Sequence, residues 1–215
     1  MTLKISQPQA LAEYYAENGW RTQPFTITYI EDANPTTWEP RPNQPDLFND
    51  VRIVWRPKEE EIIVSCAATT EPGIRAVNNP MNRNGTFRIA LDTHFKECWE
   101  IGRHITRSSN QLALVQCDRI LGYRDADRNH IRPGDKLYDD GAGVNHHTTG
   151  NSADSPAPDR VGGFSFGCLV GQHPVTHYRK FMPALQDSGQ RRFDTVVLNG
   201  SKFWKWLQEK DYVLS

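Results

Sequence analysis

The run VRIVWRPKEEEIIVSC, residues 51–66, decides the fold class. Val51 to Trp55 and Glu61 to Cys66 are dense in β-branched and apolar residues, and the polar, proline-bearing Arg56-Pro-Lys-Glu-Glu60 separates them. That pattern predicts two strands joined as a hairpin. Cys66, at the end of the second strand, is expected as a small buried hydrophobe. The same pattern recurs outward in both directions. Phe25-Thr-Ile-Thr-Tyr-Ile30 alternates bulky apolar residues with threonine, and Thr86–Leu91 follows an Asn84-Gly85 turn. Leu112–Cys117, Arg119–Tyr123 and Phe193–Leu198 are further short runs with turn residues between them. Strands at this spacing predict a mainly β protein, a β-sandwich or a small barrel, rather than alternating β and α units.

Helices are expected only at the periphery. Gln9–Asn18 has Pro8 near its start and Gly19 just past its end. Val175, Tyr178, Met182 and Leu185, with Phe181 beside them, follow helical spacing, and Pro183 should kink or end that helix. Ser201 is the expected cap of a last helix whose Phe203, Trp204 and Leu207 face the core, where Trp55 and Trp99 are also expected. The stretch Glu31–Pro45 carries prolines at 35, 40, 42 and 45 and marks the one place for a domain boundary. The chain then divides into residues 1–45 (helix, strand and Pro-rich segment) and a β-rich domain over 46–215, or forms one domain over 1–215.

Composition narrows the function classes. Hydrophobic residues make up 37% of the 215, aromatics 10%, and the formal charge is -1. With a mean hydropathy of -0.67, the chain is expected to fold with a polar surface. Acids and bases are interspersed, so neither nucleic acid nor a membrane surface is an expected partner. The opening residues lack a secretory signal and no segment approaches a transmembrane length, so a cytoplasmic protein is expected, unless it reaches a cell wall by a non-standard route or as a phage product. Cys66, Cys98, Cys117 and Cys168 form no C-x-x-C pair, and reduced thiols are expected, with no metal and no cofactor.

The chemistry concentrates between Gly141 and Gly171. Cys168 ends the glycine-rich Gly162-Gly-Phe-Ser-Phe-Gly-Cys168, and the pair His146-His147 lies upstream, far enough away in sequence for the chain to fold back on itself. A cysteine beside an imidazole and free backbone N–H groups is the material of a thiol nucleophile. Cys168 is the candidate nucleophile, His147 could meet it in space, the N–H groups of Gly167 and Cys168 are the natural oxyanion donors, and Ser165 offers a hydroxyl next to the turn. In an extended segment His146 points to the opposite face from His147. Asn145, His146 and Phe166 are the candidate substrate contacts. A rival reading makes His146 or His147 a metal ligand with Asp139, Asp140 or His173. His173 and His177 could share a helix face, expected to be solvated, and Asp125-x-Asp127-x-Asn129 imitates a calcium loop but lacks its glycine and final acid, so an ordinary polar turn is expected.

The order of these motifs resembles the YkuD-type L,D-transpeptidases, cysteine enzymes of peptidoglycan. It is most similar to a phage and bacterial branch with a G-x-N-x-H segment followed by S-x-G-C, here Gly143-Val-Asn-His-His147 and Ser165-Phe-Gly-Cys168. Trp99-Glu-Ile-Gly102, Ala113–Gln116 and Tyr123–Asp125 also look like that branch, so the similarity covers about Arg88 to Leu185. The resemblance implies a YkuD-like β fold and acyl transfer on peptidoglycan stem peptides or muropeptides, with Cys168 forming the thioester, His147 as its base, Thr148 orienting His147 through its backbone carbonyl, and Ser165 supporting the turn. The chain departs from the family at Phe166, where a histidine is usual, and at Val170, where a polar residue is usual. A non-catalytic wall-binding or phage-assembly protein on the same fold is the alternative.

Overall fold

The computed structural model describes residues 2–215. The chain runs through β1 (Leu3–Ile5) into α1 (Gln7–Glu17), where Ser6 and Gln9 cap each other's backbone N–H groups. β2 (Thr26–Ile30), β3 (Asp50–Arg56) and β4 (Glu61–Thr69) form an antiparallel meander, and the last two are the hairpin of residues 51–66. A short α2 (Ile74–Asn78) and β5 (Thr86–Ile89) lead to the antiparallel pair β6 (His94–Ile105) and β7 (Asn110–Gln116). β8 (Ile120–Asp125) and β9 (Lys136–Gly141) join β5 in a side sheet. β10 (His146–Thr148) and β11 (Leu169–Gly171) lie parallel to each other. α3 (Pro174–Thr176), a π-helical turn (His177–Phe181) and α4 (Met182–Asp187) follow one another without a break, then come β12 (Arg192–Leu198), α5 (Gly200–Glu209) and β13 (Tyr212–Leu214), which pairs with β1.

Eight strands close in the order β10-β11-β4-β3-β2-β12-β6-β7, so the mainly β fold takes the form of a barrel. β2 lies between β3 and β12, so residues 1–45 contribute a strand to the same barrel as the rest of the chain. β3 shows why its sequence is nearly continuously apolar. Val54 faces the barrel interior with Ile27, Tyr29, Trp99 and Phe181. Val51, Ile53 and Trp55 face outward into a second core with Tyr15 of α1 and Phe203 and Leu207 of α5. Both faces are covered, and a strand covered on both faces needs no polar alternation. Trp55 also donates its indole N–H to Thr28 Oγ1 at 3.0 Å, and its truncation to alanine costs about 3–5 kcal/mol.

Several expected details shift. The last helix is capped by Asn199, which accepts from Lys202 N–H at 3.0 Å, rather than by Ser201. Its core face is Phe203, Trp206 and Leu207, with Trp204 only partly buried. Cys66 is likewise partly buried, packed against the inner core. In the helix after β11 the π turn adds a residue, so the buried stripe becomes His177, Phe181, Met182 and Leu185, and Val175 is left exposed. His177 is therefore not on a solvated face. Its Nδ1 lies 3.2 Å from Arg52 Nη1 and its Nε2 donates to Leu112 O at 2.8 Å. No helix among the described residues is long and apolar enough to cross a membrane.

Candidate active site

β10 puts adjacent histidines on its two faces. His146 enters the barrel, with its ring centre 4.6 Å from that of Trp99 and its Nδ1 3.3 Å from the Tyr29 hydroxyl. Burial, and next the charge of Arg52, holds its pKa well below the usual histidine value. It lines neither of the clefts at the site, which corrects its expected place among the substrate contacts.

His147 faces the other way. Its Nδ1 lies 2.8 Å from Thr148 O, so Nδ1–H donates there and the lone pair stays on Nε2. That Nε2 is buried and has no hydrogen-bond partner among the described residues. Burial, then the neighbouring His104, keeps the His147 pKa well below its usual value, so the ring is neutral near pH 7. Arg52, wholly buried in the barrel, steadies this strand by donating to His147 O at 2.7 Å and Leu169 O at 3.4 Å, its guanidinium 4.3 Å from the Phe181 ring centre. Gly171 makes room for it, since a Cβ there would sit 2.7 Å from Arg52 Nη2.

The Cys168 turn is built around Ser165 and Gly167. Ser165 Oγ donates to Cys168 O at 2.9 Å and accepts from Gly167 N–H at 3.2 Å. Gly167 has φ +118°, and a Cβ on it would lie 2.9 Å from Phe87 O, so only glycine fits without strain. The Gly167 N–H expected as an oxyanion donor is thus already committed. The Cys168 N–H has no partner among the described residues. Cys168 Sγ donates to Gly143 O at 3.3 Å and accepts from Asn145 N–H at 3.5 Å. Burial pushes the thiol up to about 11, so at rest it is protonated.

Around this sulfur the fold gathers what the sequence suggested and adds one residue. One donor atom each of Cys168, His147 and His104 lie within 4.8 Å of one another. His104, on β6, was missed. Its ring stacks on His147 with centres 3.9 Å apart and planes 6° apart. Asn145, expected to face substrate, instead braces the site, with Nδ2 3.0 Å from His104 Nδ1 and Oδ1 accepting from Gln116 N–H at 3.0 Å. The available signal was a histidine two residues past the end of the Trp99–Gly102 segment already singled out.

Two clefts meet at His104. The larger, about 630 Å³, is lined by Phe87, Val144, Phe164, Phe166 and Cys168, with Arg124 among its polar groups. The smaller, about 300 Å³, is lined by Arg75, Gln111, His147, Thr149 and Asn151. Phe166, 37% exposed, lines the wall of the larger cleft. Val170 is fully buried in β11. The donors of the rival metal reading are dispersed, with Asp139 paired to Arg119 at 3.7 Å, Asp140 to Arg124 at 3.0 Å, and His173 exposed. The cysteine and two histidines do have metal-like spacing, but parallel stacked rings do not converge their lone pairs on one point. Asp125 is engaged by Arg88 at 2.7 Å and by the N–H groups of Asn129 and His130. No family model, no curated protein and no solved structure matches this chain.

Proposed function

We propose that the protein is a cysteine acyl-transfer enzyme acting on peptidoglycan stem peptides, with Cys168 as nucleophile and His147 as base. The observation that carries this reading is the buried Nε2 of His147, without a partner among the described residues, on a ring that has a nitrogen within 4.8 Å of Cys168 Sγ and a tautomer fixed by Thr148 O. A buried lone pair with no partner, beside a thiol, is a base waiting for a proton. The likeness of Gly143–His147 and Ser165–Cys168 to the YkuD-type motifs supports the substrate class. The open cleft walled by phenylalanines suits an extended chain.

The resting pair is neutral, so the thiolate is made on demand. The thiol leaves Gly143 O, and its proton passes to His147 Nε2 as Sγ bonds to the substrate carbonyl carbon. The tetrahedral intermediate collapses, the C–N bond breaks, and the proton on His147 goes to the leaving amine. Water or an incoming amine then attacks the thioester and gives its proton to His147. The C–S bond breaks, and that proton returns to sulfur. Water makes the enzyme a peptidase, and an amine makes it a transpeptidase.

The test is to incubate the protein with muropeptides and, separately, with a carbapenem, and to look for a covalent adduct by intact and peptide mass spectrometry. An adduct on Cys168 that disappears in Cys168→Ala, and falls by about 10³-fold in rate or more in His147→Ala, is expected. Turnover undiminished in Cys168→Ala overturns the reading. Muropeptide binding without any adduct or turnover would assign the non-catalytic wall-binding role instead.

A further inference from the structure

We infer that His104 is the second donor of the oxyanion hole, an inference that rests on the acyl-transfer reading above. An oxyanion hole is built from N–H donors aimed at the oxygen where charge develops, and backbone groups or side chains can supply them. The backbone here falls short. Gly167 N–H is bound to Ser165 Oγ, Asn145 N–H to Sγ, and Leu169 N–H to Asn145 O at 2.9 Å. In the turn that carries the nucleophile, Cys168 N–H is the remaining donor next to the sulfur.

The tautomer of His104 follows from its neighbours. Gln116 N–H can only donate, so the Asn145 atom it meets is Oδ1, and the amide is oriented. Asn145 Nδ2 therefore faces His104 Nδ1 and donates to it. A nitrogen that accepts carries no proton, so the neutral ring has its proton on Nε2. Burial lowers the His104 pKa and favours this neutral form. The two stacked imidazoles are thus opposite in kind: His147 offers a lone pair at Nε2 and His104 offers an N–H at Nε2.

Position agrees with this division. A donor about 3 Å from an oxyanion that is itself two bonds from sulfur lies within about 5 Å of that sulfur. A ring nitrogen of His104 is within 4.8 Å of Sγ, and the ring lines both clefts at the point where they meet. His104 holds its proton throughout. It makes a hydrogen bond to the developing oxyanion while the protons of the reaction travel through His147.

The experiment uses two reactions of the same sulfur. Carbapenem acylation passes through a tetrahedral oxyanion, whereas alkylation by iodoacetamide does not. His104→Phe keeps a ring on His147 and removes the N–H, and it should slow acylation of Cys168 by about 10²–10³-fold while leaving the alkylation rate within a few-fold. His104→Gln, which restores an N–H donor, should recover part of the loss. Equal acylation rates in wild type and His104→Phe overturn the inference and leave the nucleophile reading standing. A parallel fall in both reactions also overturns it, because His104 would then act on the thiol itself. If wild-type protein is not acylated at all, the acyl-transfer reading fails and takes this inference with it.

Discussion

Buried Glu31, Asp50 and Thr70, with the partly buried Arg132, form one polar cluster at the ends of β2, β3 and β4, and buried Cys168 and His147, with the partly buried His104, form another around β10 and β11. In the first, every carboxylate oxygen of Glu31 and Asp50 is engaged. Arg132 grips Glu31 at 2.6 Å and Glu71 at 3.1 Å, and Thr70 bridges Glu31 and Asp50 through its hydroxyl at 2.7 and 2.9 Å. Burial, and then the nearby charge of Glu31, raises Asp50 well above the usual carboxylate range. In the second cluster the thiol is bound to a carbonyl, and the lone pair at His147 Nε2 has no partner among the described residues. The carboxylates of the first cluster are paired off and hold the fold together, although Arg132 Nε has no partner among the described residues, whereas a buried lone pair beside a nucleophile has something left to do.

The sharpest way to break this contrast is to unpair the first cluster. Arg132→Met leaves Glu31 and Glu71 buried without their cation, and should lower unfolding free energy by about 3–5 kcal/mol in a denaturant titration. Adding Glu31→Gln to that variant should recover a sizeable part, since one uncompensated charge is then gone. A loss under about 1 kcal/mol would mean that the cluster is solvated and the contrast false.

The sequence showed these two regions unequally, for physical reasons. The hairpin of residues 51–66 was legible because burial on both faces of β3 and a polar turn leave a strong local pattern. Cys168 and His147 were legible because glycines and a histidine pair are rare enough to notice. β6 was not. Glu97 has φ +54° beside a bulge against β12, so Cys98 and Trp99 are both buried in succession and the alternation that announces a strand is lost. With β6 unread, His104 had no position. β10 and β11 have three residues each, too few for any period to show. His146 was placed correctly on the face opposite His147, but what lay beyond that face, a barrel interior, depends on long-range closure that no local pattern encodes.

A smaller effect separates the regions by pH. Burial, then Glu31, raises half-buried Asp32 beside the first cluster to about 7. Its folded pKa lies above its unfolded one, so its contribution to stability is full at low pH and is lost as pH rises through about 7. His177, next to Arg52 behind the second cluster, is lowered to about 3 by burial and by that guanidinium. Its folded pKa lies below its unfolded one, so its contribution is present above pH 6.5 and is lost as pH falls. Relative to wild type, Asp32→Asn should gain stability on going from pH 5 to pH 8. His177→Gln should gain in the opposite direction, by about 1.4 kcal/mol at one unit below pH 6.5. Parallel pH profiles for wild type and both variants would place the pH dependence elsewhere.

The smallest expected effect tests the other half of the contrast, that the second cluster is arranged for reaction more than for stability. Cys168 is 8% exposed, and its sulfur makes two long contacts, to Gly143 O and from Asn145 N–H. Cys168→Ala removes one heavy atom from a site that opens onto a cleft. Its cost should be about 1 kcal/mol or less, because the backbone frame around it is held by Ser165, Gly167 and Arg52 rather than by the sulfur. Thermal melting of the variant should therefore overlay that of wild type within a few degrees while the adduct at position 168 vanishes. If Cys168→Ala instead melts as far below wild type as Arg132→Met does, the thiol is a packing element of the barrel, and the two polar clusters are alike after all.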